Sequence, residues 1–319
     1  MMKKWAAMLL CLITVVSLSA CGSTNQASAQ ASTPKDNGQS SAQDTGKLLV
    51  SVTFDAMKEF VEAVGQDKIE ISTIIPAGTE PHDFEPKAQD LVGLSTAQVF
   101  VYNGLGMEAW VDKAVSAANN ADLVTVEASK GADAIENTDP GEIEEHGQYD
   151  PHLWISLKGA ELEVKNIKDG LIQADPANKD FYETNCDDFV AQLESLYKEY
   201  NEKFQSADKK SFVTGHAAFG YLCRDFGLKQ NSVEDVFAEG EPTAQQLSEL
   251  VEYCKANNVT TIFAEEMASP DVSKTLANEV GAKVETIYTI ESAEDGMTYL
   301  ERMQSNLTKI YKSLTTTDK

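Results

Sequence analysis

Two periods of apolar and polar residues alternate along the chain. Residues 48–54 (Leu-Leu-Val-Ser-Val-Thr-Phe) and 69–75 follow the two-residue period of a strand, and residues 57–64 between them place apolar side chains at helical spacing. Pro76, Ala77 and Gly78 punctuate the second strand. Further on, the pattern predicts a helix over residues 88–96 and a strand over 99–102 stopped by Asn103-Gly104. A helix over 107–118 and a strand over 123–126 follow. Strands that alternate with helices of about ten residues predict a parallel sheet covered on both faces.

Residues 131–148 break this rhythm with a polar, acidic loop. A helical reach then runs over residues 158–204 with an interruption at Asp175-Pro176. Its second half carries Phe181, Phe189, Leu193, Leu196 and Tyr197 as a one-sided stripe. The alternation resumes with strands predicted over 211–214, 260–264 and 283–288 and helices over 217–226, 243–256, 272–280 and 298–314. The predicted fold class is α/β: a lobe over residues 47–177, a linking helix over 178–207 and a second lobe over 208–319.

The start of the chain is different in kind. Lys3 and Lys4 precede an apolar run over residues 5–16, and Leu18-Ser19-Ala20-Cys21 follows. A charged segment, a short apolar segment and small residues before a cysteine are the pattern of an export signal over residues 1–20. The last four residues resemble a bacterial lipobox, which implies lipidation (palmitate) of Cys21 as the first mature residue. Residues 21–46 are rich in Ser, Ala, Gln, Thr and Asn, too poor in apolar surface to fold, and predict a flexible tether. The expected location is the outer face of the bacterial cell membrane, held there by a lipid anchor.

Composition narrows the possible partners. Asp and Glu number 51 against 26 Lys and Arg, a formal net charge of −25. Nucleic acid is excluded as a partner, because neutralising phosphates needs clustered Lys and Arg. Beyond Cys21, the cysteines outside the signal segment are Cys186, Cys223 and Cys254, with no CxxC among them. Their spacing points to neither a zinc-thiolate site nor a redox pair, and leaves a Cys223–Cys254 disulfide open.

Four histidines carry the chemistry. His82 stands in Glu80-Pro81-His82-Asp83-Phe84-Glu85-Pro86, after the second predicted strand. His152 stands in Tyr149-Asp150-Pro151-His152-Leu153-Trp154, and His216 in Thr214-Gly215-His216-Ala217-Ala218-Phe219-Gly220. Ligands of open α/β sheets collect outside the carboxyl ends of the strands, where His82 and His216 fall, one in each lobe. Glu265 and Glu266 follow the strand ending at 264, and Glu291 follows the strand ending at 288. A site between the lobes could draw on His82, His152, His216 and Glu291. Three imidazoles and a carboxylate suit tetrahedral Zn²⁺, whereas Cu(I) favours sulfur and Ca²⁺ favours an all-oxygen set.

Pro81-His82-Asp83-Phe84-Glu85-Pro86, residues 101–110 (Val-Tyr-Asn-Gly-Leu-Gly-Met-Glu-Ala-Trp), Asp150-Pro151-His152-Leu153-Trp154 and His216-Ala217-Ala218-Phe219-Gly220-Tyr221 together resemble the signatures of the zinc/manganese solute-binding lipoproteins of ABC metal importers (the metal-receptor cluster A-I family). The match runs in order from about residue 47 onward. The resemblance implies two lobes joined by one rigid helix, with metal ligands His82, His152 and His216. The fourth position, in Tyr288-Thr289-Ile290-Glu291-Ser292, is one where the family carries a carboxylate or a water. It also implies a monomer that serves an ABC permease and its ATPase. Trp154 and Glu265 are expected around the ligands rather than on the metal. Family members often continue Asp-Pro-His-x-Trp with Leu-Asp-Pro, where this chain has Ile155-Ser156-Leu157. The short acidic loop with Glu144, Glu145 and His146 resembles the His-rich loop of zinc members and is a candidate for accessory metal capture.

Manganese members resemble this set with a Glu in the third position. His216 there shifts preference toward Zn²⁺, which also stands above Mn²⁺ in intrinsic affinity. The expected role is therefore a zinc receptor with no catalytic residue. The alternatives are a manganese or iron receptor on the same scaffold and a secreted zinc hydrolase. No HExxH motif or placed general base favours the hydrolase. Cell adhesion has no sequence feature of its own.

Overall fold

The computed structural model describes residues 46–138, 143, 147–234, 236, 243–265, 271–292 and 295–316. The signal segment, Cys21, the tether up to residue 45 and the loop residues Glu144, Glu145 and His146 lie outside the described residues, as does Glu266.

In the first lobe, β1 (Leu48–Val52), α1 (Asp55–Gly65), β2 (Ile69–Thr73), β3 (Val99–Tyr102), α2 (Val111–Ala118) and β4 (Val124–Glu127) build a four-stranded sheet of order β2-β1-β3-β4. All its pairings are parallel, with Val50 opposite both Ile71 and Val99. Two helices follow, α3 (Leu157–Ala174) and the 28-residue α4 (Lys179–Ser206), which leads into the second lobe. There β5 (Ser211–Thr214), α5 (Gly220–Phe226), β6 (Lys229–Ser232), α6 (Ala244–Ala256), β7 (Thr261–Glu265), α7 (Asp271–Val280) and β8 (Lys283–Ile287) repeat the design as β6-β5-β7-β8. The closing helix α8 (Tyr299–Thr315) starts at a capping box formed by Thr298 and Glu301. In each sheet the order reverses beside the first strand, so each lobe has a crevice at the carboxyl ends of its strands. Two parallel-sheet lobes and a long joining helix are the predicted class.

The apolar faces account for these layers. Val50, Val52, Val99 and Val101 of the first sheet and Phe60, Val61 and Val64 of α1 belong to one buried cluster. That cluster continues through Trp154, the buried stripe of α3 and α4, and Phe212, Phe263 and Leu307 of the second lobe. Burying each such side chain contributes roughly 1.5–3 kcal/mol. A smaller cluster around Ile262, Leu250, Cys254 and Leu276 fills the outer face of the second sheet.

Two local expectations are corrected. Residues 88–96 do not form an α-helix; only a 3₁₀ turn stands there, Val92–Ser95. The reason is tertiary: Asn120 Nδ2 donates to the carbonyls of Leu94 (3.1 Å) and Ala97 (2.7 Å), and the Asp90 carboxylate accepts from Lys87 N. Strand β6, with the sequence Lys-Gln-Asn-Ser, has no apolar alternation to announce it and exists by pairing with β5. Cys186, Cys223 and Cys254 are buried free thiols, so Cys223 and Cys254 are not bridged.

The lobes are pinned together by polar groups as well as by core. Arg302 of α8, 1% exposed, donates to Asp55 at the start of α1 (2.8 Å) and to Asp295 (3.0 Å). Tyr299 N donates to Glu59 Oε2 at 3.0 Å, and Trp154 Nε1 donates to the Thr289 carbonyl at 2.7 Å.

Glu163 on α3 is the opposite case. It is fully buried, and neither carboxylate oxygen has a hydrogen-bond partner among the described residues. Burial, with the Glu108 charge behind it, holds its acid well above the ordinary range. An acid whose folded pKa is raised binds its proton more tightly in the folded state, so its contribution to stability falls as pH rises past about 4.5. Glu163→Met is expected to raise stability at pH 7 by about 1–3 kcal/mol, and to flatten the decline between pH 5 and 8. Denaturant melts of both proteins across that interval measure it, and an unchanged or lower midpoint for the variant would count against the assignment.

Candidate metal centre

His82, His152 and His216 come from three separate loops, and their ligand atoms lie within 4.8 Å of one another. His82 Nε2 and His152 Nε2 are 3.1 Å apart, and the ring centroids of His152 and His216 are 4.8 Å apart. Glu291 Oε1 lies 3.8 Å from His152 Nε2 and 3.9 Å from His82 Nε2. Two nitrogens at about 2.0–2.1 Å from one tetrahedral ion would stand about 3.3 Å apart. The imidazole pair thus has the spacing of a zinc site, and the carboxylate is about half an ångström too far, within reach of a side-chain adjustment.

Each member is aimed by its surroundings. Asp150 Oδ1 lies 2.9 Å from both the backbone N and the Nδ1 of His152. This arrangement makes Nδ1–H the donor and leaves the Nε2 lone pair facing His82, the tautomer a metal needs. The Tyr221 hydroxyl in turn donates to the Asp150 carbonyl at 2.7 Å. Trp154 stacks obliquely on His152 at 5.1 Å and edge-on against Phe54 at 4.9 Å, which fixes the ring plane. It touches the histidine and fastens the Thr289 carbonyl, two residues before Glu291.

His216 hangs on the loop after β5. Its backbone N donates to Glu265 Oε1 (2.9 Å), and its carbonyl accepts from Thr214 Oγ1 and from Gln230 Nε2 (2.7 Å). Glu265 therefore holds the loop backbone that carries the ring. The loop requires glycine at residue 215, because a Cβ there would collide with the Glu265 carboxylate. The His216 ring places Nε2 2.8 Å from the Val236 carbonyl oxygen, so Nε2–H is the donor. A metal ion takes this ring through Nε2 only by displacing that bond.

Glu291 follows Ile290, a buried β-branched residue at φ +61°. A non-glycine residue in the left-handed region costs of order 1–3 kcal/mol and persists only where its surroundings impose it. Here Trp154 Nε1 holds the Thr289 carbonyl, Asp55 N donates to the Glu291 carbonyl (3.4 Å), and Gly78 N donates to Ser292 Oγ (2.7 Å).

Four contributors had not been assigned a role from sequence. Asp150 was visible as the acid two residues before His152. Glu108 accepts from Thr53 Oγ1 (2.7 Å), Asn103 N (2.9 Å) and Gly104 N (3.0 Å), while Asn103 Nδ2 donates to the Pro151 carbonyl beside His152 (2.9 Å). Glu108 and Asn103 lie in a quoted motif, but nothing in their spacing reveals this chain. Gln230 sits on the unannounced strand β6. Arg224 is exposed, and Asp225 is half-buried and accepts from Ser156 Oγ. The departure at Ser156 thus has a structural use, since the same hydroxyl caps α3 at Gly159 N.

Burial and the neighbouring His152 lower the His216 pKa to about 3 from the ordinary 6.5. The ring is neutral, as a ligand must be. A base with a depressed folded pKa favours the unfolded chain as protons become available. Its penalty is absent above about 6.5, grows as pH falls from there to about 3, and is constant below. In chelator-treated protein, His216→Asn should therefore lose less thermal stability than wild type between pH 7.5 and 4.5. Equal losses would contradict the buried neutral ring.

The chain also resembles known proteins over most of its length. The family model for the periplasmic component A of the zinc-uptake complex (ZnuA) matches residues 50–313. A Treponema pallidum protein provisionally named as metal-binding is 45% identical over 277 residues, 84% of this chain and 88% of that protein. The high-affinity zinc uptake system protein ZnuA of Bacillus subtilis is 37% identical, with 98% of this chain and 99% of that protein covered. Among solved structures, a zinc-bound ZnuA lacking residues 138–173 of its own sequence superposes with a TM-score of 0.75 at 31% identity, over 85% of this chain and all of that one. The laminin-binding protein Lmb of Streptococcus agalactiae, described as an adhesin with metal-transporting activity, gives 0.77 at 34% identity, over 84% and 99%.

Proposed function

Because the chain belongs to the family of periplasmic component A proteins of zinc-uptake complexes, we propose that it is an extracytoplasmic receptor that captures Zn²⁺ and hands it to the permease of an ATP-driven importer. His82, His152, His216 and Glu291 are the proposed ligands. The observation that carries this reading is the convergence of three imidazoles, one with its Nδ1 held by a carboxylate, on one buried centre between two lobes. Four protein donors fill a tetrahedral set, which suits tight capture of the ion rather than activation of a bound water. The histidine at residue 216, rather than a carboxylate, favours zinc over manganese. The proposed anchor is a lipid on Cys21, and the 26-residue stretch after the signal segment serves as its leash.

Binding fixes both lobes at once, so zinc is expected to stabilise the folded state in proportion to its concentration over Kd. A calorimetric zinc titration of the chelated protein should give one site per chain, with Mn²⁺ competing only weakly. His152→Ala should abolish tight binding, and Asp150→Asn should weaken it about 10–100-fold through the lost orientation of His152. Equal affinity for Mn²⁺ would remove the zinc assignment. Wild-type affinity in His152→Ala would remove the site.

A further inference from the structure

The proposed ligands are sealed from solvent: the side chains of His82, His152 and Glu291 are 1%, 0% and 3% exposed. An ion must therefore have a way in. Glu291 has a second face. Besides approaching the two imidazoles, it lines a cavity of about 130 Å³ bounded by the end of β2, the start of α1 and residues 291–292. The volume exceeds several-fold the roughly 10–15 Å³ that one water needs. Asp55, Glu291 and Ser292, all buried, line its inner wall beside Ile75 and Lys58, and its rim carries the exposed residues Thr73 and Ala77. The Gly78 N to Ser292 Oγ hydrogen bond, 2.7 Å, ties the rim loop to the segment that carries Glu291.

We propose that this cavity is the route by which Zn²⁺ enters and leaves, with Glu291 as its first protein contact inward and its last outward. The inference rests on the zinc-receptor reading. Zn²⁺ accepts carboxylate oxygen as well as imidazole, and Glu291 is the one proposed ligand among the residues that line this cavity. A hydrated ion arriving there exchanges a water for a carboxylate oxygen, then passes to His82 and His152 less than 4 Å further on. The bond between Gly78 and Ser292 stands beside that path and holds the segment that carries Glu291.

A route differs from a ligand in what it changes. Narrowing it slows entry and exit by one factor and leaves the equilibrium constant alone, since both directions cross the same barrier. The experiment measures zinc association by stopped-flow and release into excess chelator, on the full chain, with Kd determined separately. Ala77→Trp, a bulky ring on the exposed rim, is expected to slow both rates about tenfold, equivalent to about 1.4 kcal/mol of added barrier, with Kd within about twofold of wild type. Thr73→Trp, also on the rim, carries the same expectation and serves if the first variant misfolds. Wild-type rates in both tryptophan variants, with zinc still bound one per chain, would overturn the route and leave the receptor reading standing. A wild-type protein that binds no zinc would instead remove the receptor reading itself.

Discussion

The attachment of one lobe to the other governs everything this molecule can do with a cation. His82 and His152 come from the first half of the chain and His216 and Glu291 from the second, so a displacement of one or two ångströms between the halves would leave imidazoles with no common centre. Arg302 meets Asp55 across the junction, Trp154 packs against Phe54 and fastens the Thr289 carbonyl, and α4 carries a continuous apolar face into the second lobe. Removing one partner of a buried ion pair strands the other charge, at a cost of several kcal/mol. The junction therefore has a steep penalty for coming apart, and the site inherits its precision from that penalty.

The strained and unfavourable features gather around the same place. Ile290 occupies a left-handed backbone conformation, the His216 ring gives up its proton affinity to burial, and Glu265 sits where only a glycine at residue 215 allows it. None of these helps the fold taken alone. The Ile290 turn and the Glu265 bond hold the segments that carry Glu291 and His216, and burial keeps the His216 ring neutral. The hydrogen bond that His152 Nδ1–H donates to Asp150 fixes the tautomer: without it the proton is free to sit on the nitrogen that faces the centre.

Burial also separates affinity from exchange. An ion among the four proposed donors, cut off from water, would exchange only through whatever path the surrounding residues leave. A receptor that passes its cargo onward needs such a path as much as it needs ligands. The cavity behind Glu291, bounded by the end of β2, the start of α1 and residues 291–292, is the proposed path.

How much of this was written in the chain depends on the range over which each feature is fixed. Strands such as Leu48–Val52 and Val99–Tyr102 and the helices α4 and α8 were legible because burying one face imposes a local period on the residues. The three histidines that the fold brings together stood out too, because each follows a Pro or a Gly and their motifs resemble those of a family. Residues 88–96 and strand β6 were not, since distant partners decide them: Asn120 takes the carbonyls a helix would have used, and β5 supplies the ladder for Lys-Gln-Asn-Ser. The roles of Asp150, Glu108, Gln230 and Arg302 were likewise set by tertiary structure. A sequence states which groups are able to donate or coordinate, but a hydrogen bond is a condition on distance and angle between residues up to 247 positions apart, and only the folded chain fixes those.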